Sequence, residues 1–144
     1  MEKNRGNSQS MDESGSETAP LKSVYTNGLP NILAKLGISL AVSTYQTGKV
    51  ILVREDNGMI NTHFCAFARP MGIAVEGQRL TVGGRNTVWY YRNMPALAPK
   101  LEPPTRHDAC YMPRQIHFTG DIDIHEMAWG NEGLYLVNTK FCCL

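Results

Sequence analysis

Asp121, Asp123 and His125 alternate with Ile122 and Ile124. On a β-strand this period of two puts the three polar side chains on one face and the two isoleucines on the other. Two carboxylates and an imidazole converging there offer oxygen and nitrogen ligands to a divalent metal. Glu126 follows directly, and Asn138 lies on the next apolar run, so both are candidates for the same binding face. The competing reading is that these groups cap strand ends and bond to turn backbone, as polar residues on half-solvated strands commonly do. Arg69-Pro-Met-Gly72, which leads into an equivalent run, carries no carboxylate.

Two further constellations are weaker. His107-Asp108 beside Arg106 would make a His–carboxylate pair for general base work if a nucleophile approached. Cys110 is the nearest candidate nucleophile, but no oxyanion-hole motif accompanies it. Hydrogen bonding within a loop is the simpler role. Trp89, Tyr90 and Tyr91 could stack nucleobases, with Arg85 and Arg92 flanking, yet one strand that packs aromatics on both faces explains them as well.

The elements that position these residues are read from spacing. Ile32, Leu33 and Leu36 fall at helical intervals, with Pro30 suited to a first turn and Gly37 to a stop. From Ile38 the pattern becomes β. Ile38 to Thr44 and Val50 to Arg54 flank a turn, and Asn57-Gly58 marks a hairpin into Met59–Phe64. Gly72–Val75, Arg79–Gly83 and Thr87–Tyr91 form a second meander. Residues 92–118 contain prolines 95, 99, 103, 104 and 113 and are expected to be a long loop. The strand pattern resumes at Asp121.

Segments beginning at Leu40, Leu80 and Leu134 share one plan of alternating strand, small or polar turn, and second strand. Leu40 and Leu80 lie forty positions apart, a period that with several short strands per repeat signals propeller blades. The predicted fold is therefore all-β, a partial β-propeller of about two to three blades with a short N-terminal helix. Residues 1–22 are rich in Ser, Glu, Asp, Asn and Gly and read as a disordered tail. Residues 23–144 read as the N-terminal portion of a propeller domain. Two to three blades cannot close a ring, so open sheet edges are expected to favour self-association.

Composition limits the function. With 14 Lys and Arg against 13 Asp and Glu, net charge is +1, and there is no run of cations to grip a phosphate backbone. Nucleic acid is thus not an expected partner. Neither is a membrane, because no apolar run approaches the roughly 20 residues that span one. Cys65, Cys110, Cys142 and Cys143 show no CxxC spacing and are expected to be buried, reduced thiols of a cytoplasmic protein.

Arg69-Pro-Met-Gly-Ile-Ala-Val-Glu-Gly-Gln-Arg-Leu-Thr-Val-Gly83 resembles an NHL-type propeller repeat. Leu36–Lys49, Tyr111–Arg114, His117–Trp129 and Val137–Leu144 resemble a bacterial family of conserved proteins of unassigned function. Phe141-Cys-Cys-Leu144 stands where that family usually has Phe-Ser-Cys-Leu. The resemblance implies a propeller fold and no particular activity. The expected function is a binding or scaffold module for a protein or small ligand, with no cofactor required. The alternative is a lactonase-like hydrolase holding a divalent metal through Asp121, Asp123 and His125, assisted by Glu126 or Asn138.

Overall fold

The computed structural model describes residues 23–104 and 106–143, so the expected tail at 1–22 lies outside the described residues. The protein is mostly β, with one short helix. Helix α1 is Leu29–Leu36. It carries Pro30 in its first turn and ends at Gly37, whose left-handed φ of 62° lets the cap N–H return to Ala34 and Leu33 carbonyls. Leu33 is its buried anchor, against β2 and β3.

Among the described residues nine strands follow: β1 (Leu40–Thr44), β2 (Lys49–Asp56), β3 (Met59–Ala66), β4 (Ile73–Glu76), β5 (Arg79–Gly83), β6 (Thr87–Asn93), β7 (Tyr111–Phe118), β8 (Ile124–Gly130) and β9 (Gly133–Asn138). They form three antiparallel sheets in sequence order, β1-β2-β3, β4-β5-β6-β7 and β8-β9, and these do not close into a barrel among the described residues. Asn57 and Gly58, both at positive φ, make the β2–β3 turn, as the Asn-Gly dipeptide predicts.

The expected long loop is shorter than the prolines suggest. Tyr111–Phe118 is a strand paired with β6, with Pro113 opposite Tyr91 where the register shifts. It is an edge strand among the described residues, so the missing proline N–H breaks no ladder on its outer side. Only residues 94–110 remain as connection, with a 3₁₀ turn at Ala98–Lys100.

The middle sheet is packed on both faces. Phe67 meets the ring edges of Trp89 and Tyr91, with centroids 6.0 and 6.4 Å away. On the other side Tyr90 meets Trp129 at 6.2 Å, so the aromatic run is a two-faced packing row. Val82, Thr81 and Val88 are fully buried, and the Thr81 hydroxyl donates to the Ala74 carbonyl at 3.0 Å. Burial of the phenols pushes Tyr90 and Tyr91 above the usual tyrosine range.

The third sheet stacks on the second through β8. Ile124 is buried against backbone that has no side chains. A Cβ on Gly83 would lie 2.7 Å from Ile124 Cγ2, and one on Gly72 would lie 2.8 Å from Met127 Cγ.

The second and third sheets repeat at one constant offset. Val75 faces Leu80 and Ile73 faces Val82, just as Trp129 faces Leu134 and Met127 faces Leu136. Carried back along the chain, the same offset equates Met71 with His125, buried Pro70 with buried Ile124, and Arg69 with Asp123. The last pair are both non-glycine residues in the left-handed region, at φ 49° and 51°. This internal match is independent of side-chain identity and marks a shared lead-in before β4 and β8.

The thiols differ from expectation. All four cysteines are free, but Cys142 and Cys143 are exposed, and Cys143 forms an isolated bridge with Asn138. Their segment is a turn that folds back on the end of β9, which leaves both thiols at the surface.

Candidate functional site

The turn after β1, the lead-in to β4 and the lead-in to β8 meet at one end of the three sheets. Their backbone interlocks. Arg85 N–H donates to the Ala68 carbonyl at 3.1 Å, while the Arg85 carbonyl accepts from Asp123 N–H at 2.9 Å. Gly84 fits beneath because it lacks a side chain, since a Cβ there would lie 2.6 Å from the Ala68 carbonyl oxygen. The Thr139 hydroxyl holds the Asp123 carbonyl at 2.7 Å. Asp123 is thus fixed by its neighbours' main chain and turns rather than by a strand ladder.

Between these segments lies an open cleft of about 630 Å³, lined by Thr44, Tyr45, Gln46, Thr47, Met71, Asp123 and His125. The Tyr45 hydroxyl donates to Asp123 Oδ2 at 3.3 Å and accepts from Arg69 Nη1 at 3.3 Å. The Arg69 guanidinium also lies over the Tyr45 ring, 5.4 Å from its centroid. Thr44 and Thr47 share a hydrogen bond at 2.5 Å, and the Thr44 hydroxyl donates to the Lys49 carbonyl at 2.9 Å. Gln46 and His125 engage no side-chain partner among the described residues, which leaves an amide and an imidazole facing the cleft.

The structure divides the residues expected to act together. Strand β8 begins at Ile124, so Asp121 and Asp123 precede it and do not share a strand face with His125. The positive φ of Asp123 breaks the alternation on which the shared face depended. Asp123 and His125 nevertheless reach the same cleft. Asp121 does not line it. Its carboxylate takes a bidentate pair from Arg85, at 2.9 and 2.8 Å, and a further bond from Lys140. Glu126 is exposed in the irregular stretch of β8 between Ile124 and Met127. Asn138 is buried, and its side-chain oxygen accepts from Phe141 N–H at 3.1 Å, so it caps the turn after β9. No group of three or more His, Cys, Asp or Glu among the described residues is placed to hold a metal ion.

Tyr45, Arg69 and the Thr44–Thr47 turn are absent from the residues singled out by spacing. The lead-in offset, which pairs Arg69 and Met71 with Asp123 and His125, could have found Arg69, whereas nothing in the spacing marks Tyr45 or the Thr44–Thr47 turn.

The hydrogen bond from Arg85, followed by that from Lys140, holds the Asp121 carboxyl well below the usual carboxylate range. Depression of a folded-state value means the ionised form is the stabilising one. The cluster's contribution is therefore full above the unfolded value of about 3.9 and disappears as pH falls through the lower folded value. The wild-type protein should melt above Asp121→Asn at neutral pH, and the gap should begin to narrow below about pH 4 and close only in stronger acid. Because the carboxylate is exposed, the gap should also shrink with added salt. A gap that persists in strong acid would show that the asparagine acts through packing instead.

A second hollow of about 420 Å³ lies beside α1 and includes Leu33, Gly37, Arg54, Arg106 and His107. Its two arginines are both hydrogen-bonded. Arg106 pairs with Asp56, and Arg54 donates to His107 Nδ1 at 3.1 Å. A guanidinium can only donate, so Nδ1 is the acceptor and Nε2–H donates to the Glu102 carbonyl at 3.1 Å. His107 thus bonds to Arg54 and Glu102, and the expected His107–Asp108 base pair is not formed.

No helix among the described residues is long and apolar enough to cross a membrane. The fold and site together define a mostly β module of three successive sheets, with a polar cleft where their turns meet. Residues 27–144 match the family described as a domain of unknown function, DUF4915, and the chain belongs to that family. No curated protein matches the chain, and no solved structure matches it.

Proposed function

We propose that the chain is a binding module of β-propeller type whose cleft takes a small polar ligand. The observation that carries this reading is the convergence of three sheets on one cleft. Tyr45 comes from the turn after β1, Met71 from the lead-in to β4, and Asp123 and His125 from the lead-in and start of β8. A site shared by successive repeats sits where propeller blades would turn toward a common axis. The constant offset between the second and third sheets, and the matching second-strand positions of Leu80 and Leu134, support the propeller architecture. Four free thiols support a reducing, cytoplasmic setting.

The cleft presents hydroxyl, amide, imidazole and carboxylate groups that can recognise a polar ligand. A divalent ion bound by Asp123 and His125 is the second reading, favoured by their place on the same cleft. It needs ligands from outside that pair, because Asp121 is committed to Arg85 and Lys140.

The test is amide NMR of the isotope-labelled protein titrated with small amino acids, sugars, dicarboxylates, Ca²⁺ and Mn²⁺. We expect at least one compound to move resonances of residues 44–47 and 123–125, and Tyr45→Ala to weaken that binding at least tenfold. Shifts confined to the hollow beside α1, or none from any compound, would remove the cleft as the binding site.

A further inference from the structure

Arg69 and Asp123 occupy equivalent positions in successive repeats yet carry opposite charge, and they form no direct ion pair. Each reaches the same Tyr45 hydroxyl at 3.3 Å, so the two charged groups are at most twice that distance apart. Both contacts are long beside the roughly 2.7–2.9 Å of a charge-assisted hydrogen bond. The phenol therefore spaces the ions without saturating either. Asp123 has a second oxygen with no hydrogen-bond partner among the described residues, and the other guanidinium nitrogens of Arg69 make no hydrogen bond there either. Both residues are set in the left-handed region by their lead-in segments; Asp123 lines the cleft, and Arg69 reaches its edge through the cleft-lining Tyr45, so the two charges are preorganised around one phenol.

From this arrangement, and resting on the cleft being a ligand site, we infer that the ligand is a zwitterion of the α-amino acid class. Its carboxylate pairs with Arg69 and its ammonium group with Asp123. An anion alone would meet the Asp123 carboxylate, and a cation alone would meet the Arg69 guanidinium, so either singly charged ligand gains at one end and is opposed at the other. A ligand whose own opposite charges sit on one carbon makes a charge-assisted bond at each end and opposes neither. Its side chain then points toward Met71 and the Thr44–Thr47 turn, next to Gln46 and His125.

The experiment titrates the full chain with the proteinogenic free amino acids by calorimetry and amide NMR. The best binder is then compared with its carboxamide and its N-acetyl form. Removing either charge should weaken binding at least tenfold. Arg69→Gln should weaken the parent amino acid at least tenfold while leaving its carboxamide unaffected, since that derivative has no carboxylate to lose. Asp123→Asn should show the mirror pattern with the N-acetyl form. Circular dichroism melts establish that each variant is folded, and Tyr45→Phe, which keeps the ring but frees both charges, serves as a second variant. Derivatives that bind as well as the parent overturn the zwitterion. So does binding at the cleft by only a neutral sugar or by Ca²⁺ alone, although such binding leaves the cleft itself a ligand site. If no compound moves the cleft residues, both this inference and the site on which it rests are wrong.

Discussion

Ile124→Ala is expected to lower the unfolding free energy by about 2–5 kcal/mol, the usual cost of truncating a fully buried isoleucine. Ile124 is 1 % exposed and seats against Gly83 and Gly72, where the sheet offers bare backbone. Glycine backbone has no side chain that could swing into the space left behind, so the cavity term should be large and the value should fall in the upper half of that range. The same residue starts β8 and follows Asp123 directly. The variant should therefore also loosen the β8 lead-in and broaden amide resonances of residues 121–125 more than those of β1–β3. Leu136→Ala offers the comparison, since Leu136 is only half-buried and should cost less. Chemical denaturation of the three proteins measures the order. A cost under about 1 kcal/mol at Ile124 would mean that the third sheet is not docked on the second as described.

Strand alternation, the Asn57-Gly58 turn and the Pro30–Gly37 helix were legible because each rests on a local signal. Period two, a dipeptide that accepts positive φ, and a proline start with a glycine stop are all written in a few neighbouring residues. Strand β7 was not legible. Its Pro113 and the four prolines before it imitate a loop, and only pairing with β6 reveals that the outer edge tolerates a residue without an N–H. The site was legible in half. Asp123 and His125 stood out by residue type, but alternation carries no information about a single left-handed residue, and aspartate is among the few side chains that adopt that conformation readily. One such residue moved Asp121 off the expected face and into the hands of Arg85 and Lys140. Tyr45 and Arg69 act across sheets, from turns far apart in the chain, so no local spacing could join them. The repeat offset could have nominated Arg69, because it equates Arg69 with Asp123, but it carries no information about Tyr45.

The backbone interlock beneath the cleft should be the least forgiving point of the fold. Gly84→Ala would place a Cβ 2.6 Å from the Ala68 carbonyl oxygen, a main-chain atom that cannot rotate aside. That carbonyl already accepts the Arg85 N–H, so retreat would stretch the chain of backbone bonds running from Ala68 through Arg85 to Asp123. Overpacking of this kind costs about 1–3 kcal/mol. Gly28→Ala is the control. Its Cβ would meet nothing within 4 Å and its φ of −82° suits any residue, so the loss of a glycine N-cap and the lower entropy of the unfolded chain should largely offset, within about 1 kcal/mol either way. The two variants should differ in a second way. Ala68 directly precedes Arg69, so the Gly84 variant should pull the guanidinium from the Tyr45 ring and shift the amides of residues 45 and 69. Gly28→Ala should leave both unmoved. Equal stability of the two variants, with residues 45 and 69 unshifted in the Gly84 protein, would show that the turn after β5 does not support the lead-in, and that the cleft owes its shape to contacts elsewhere.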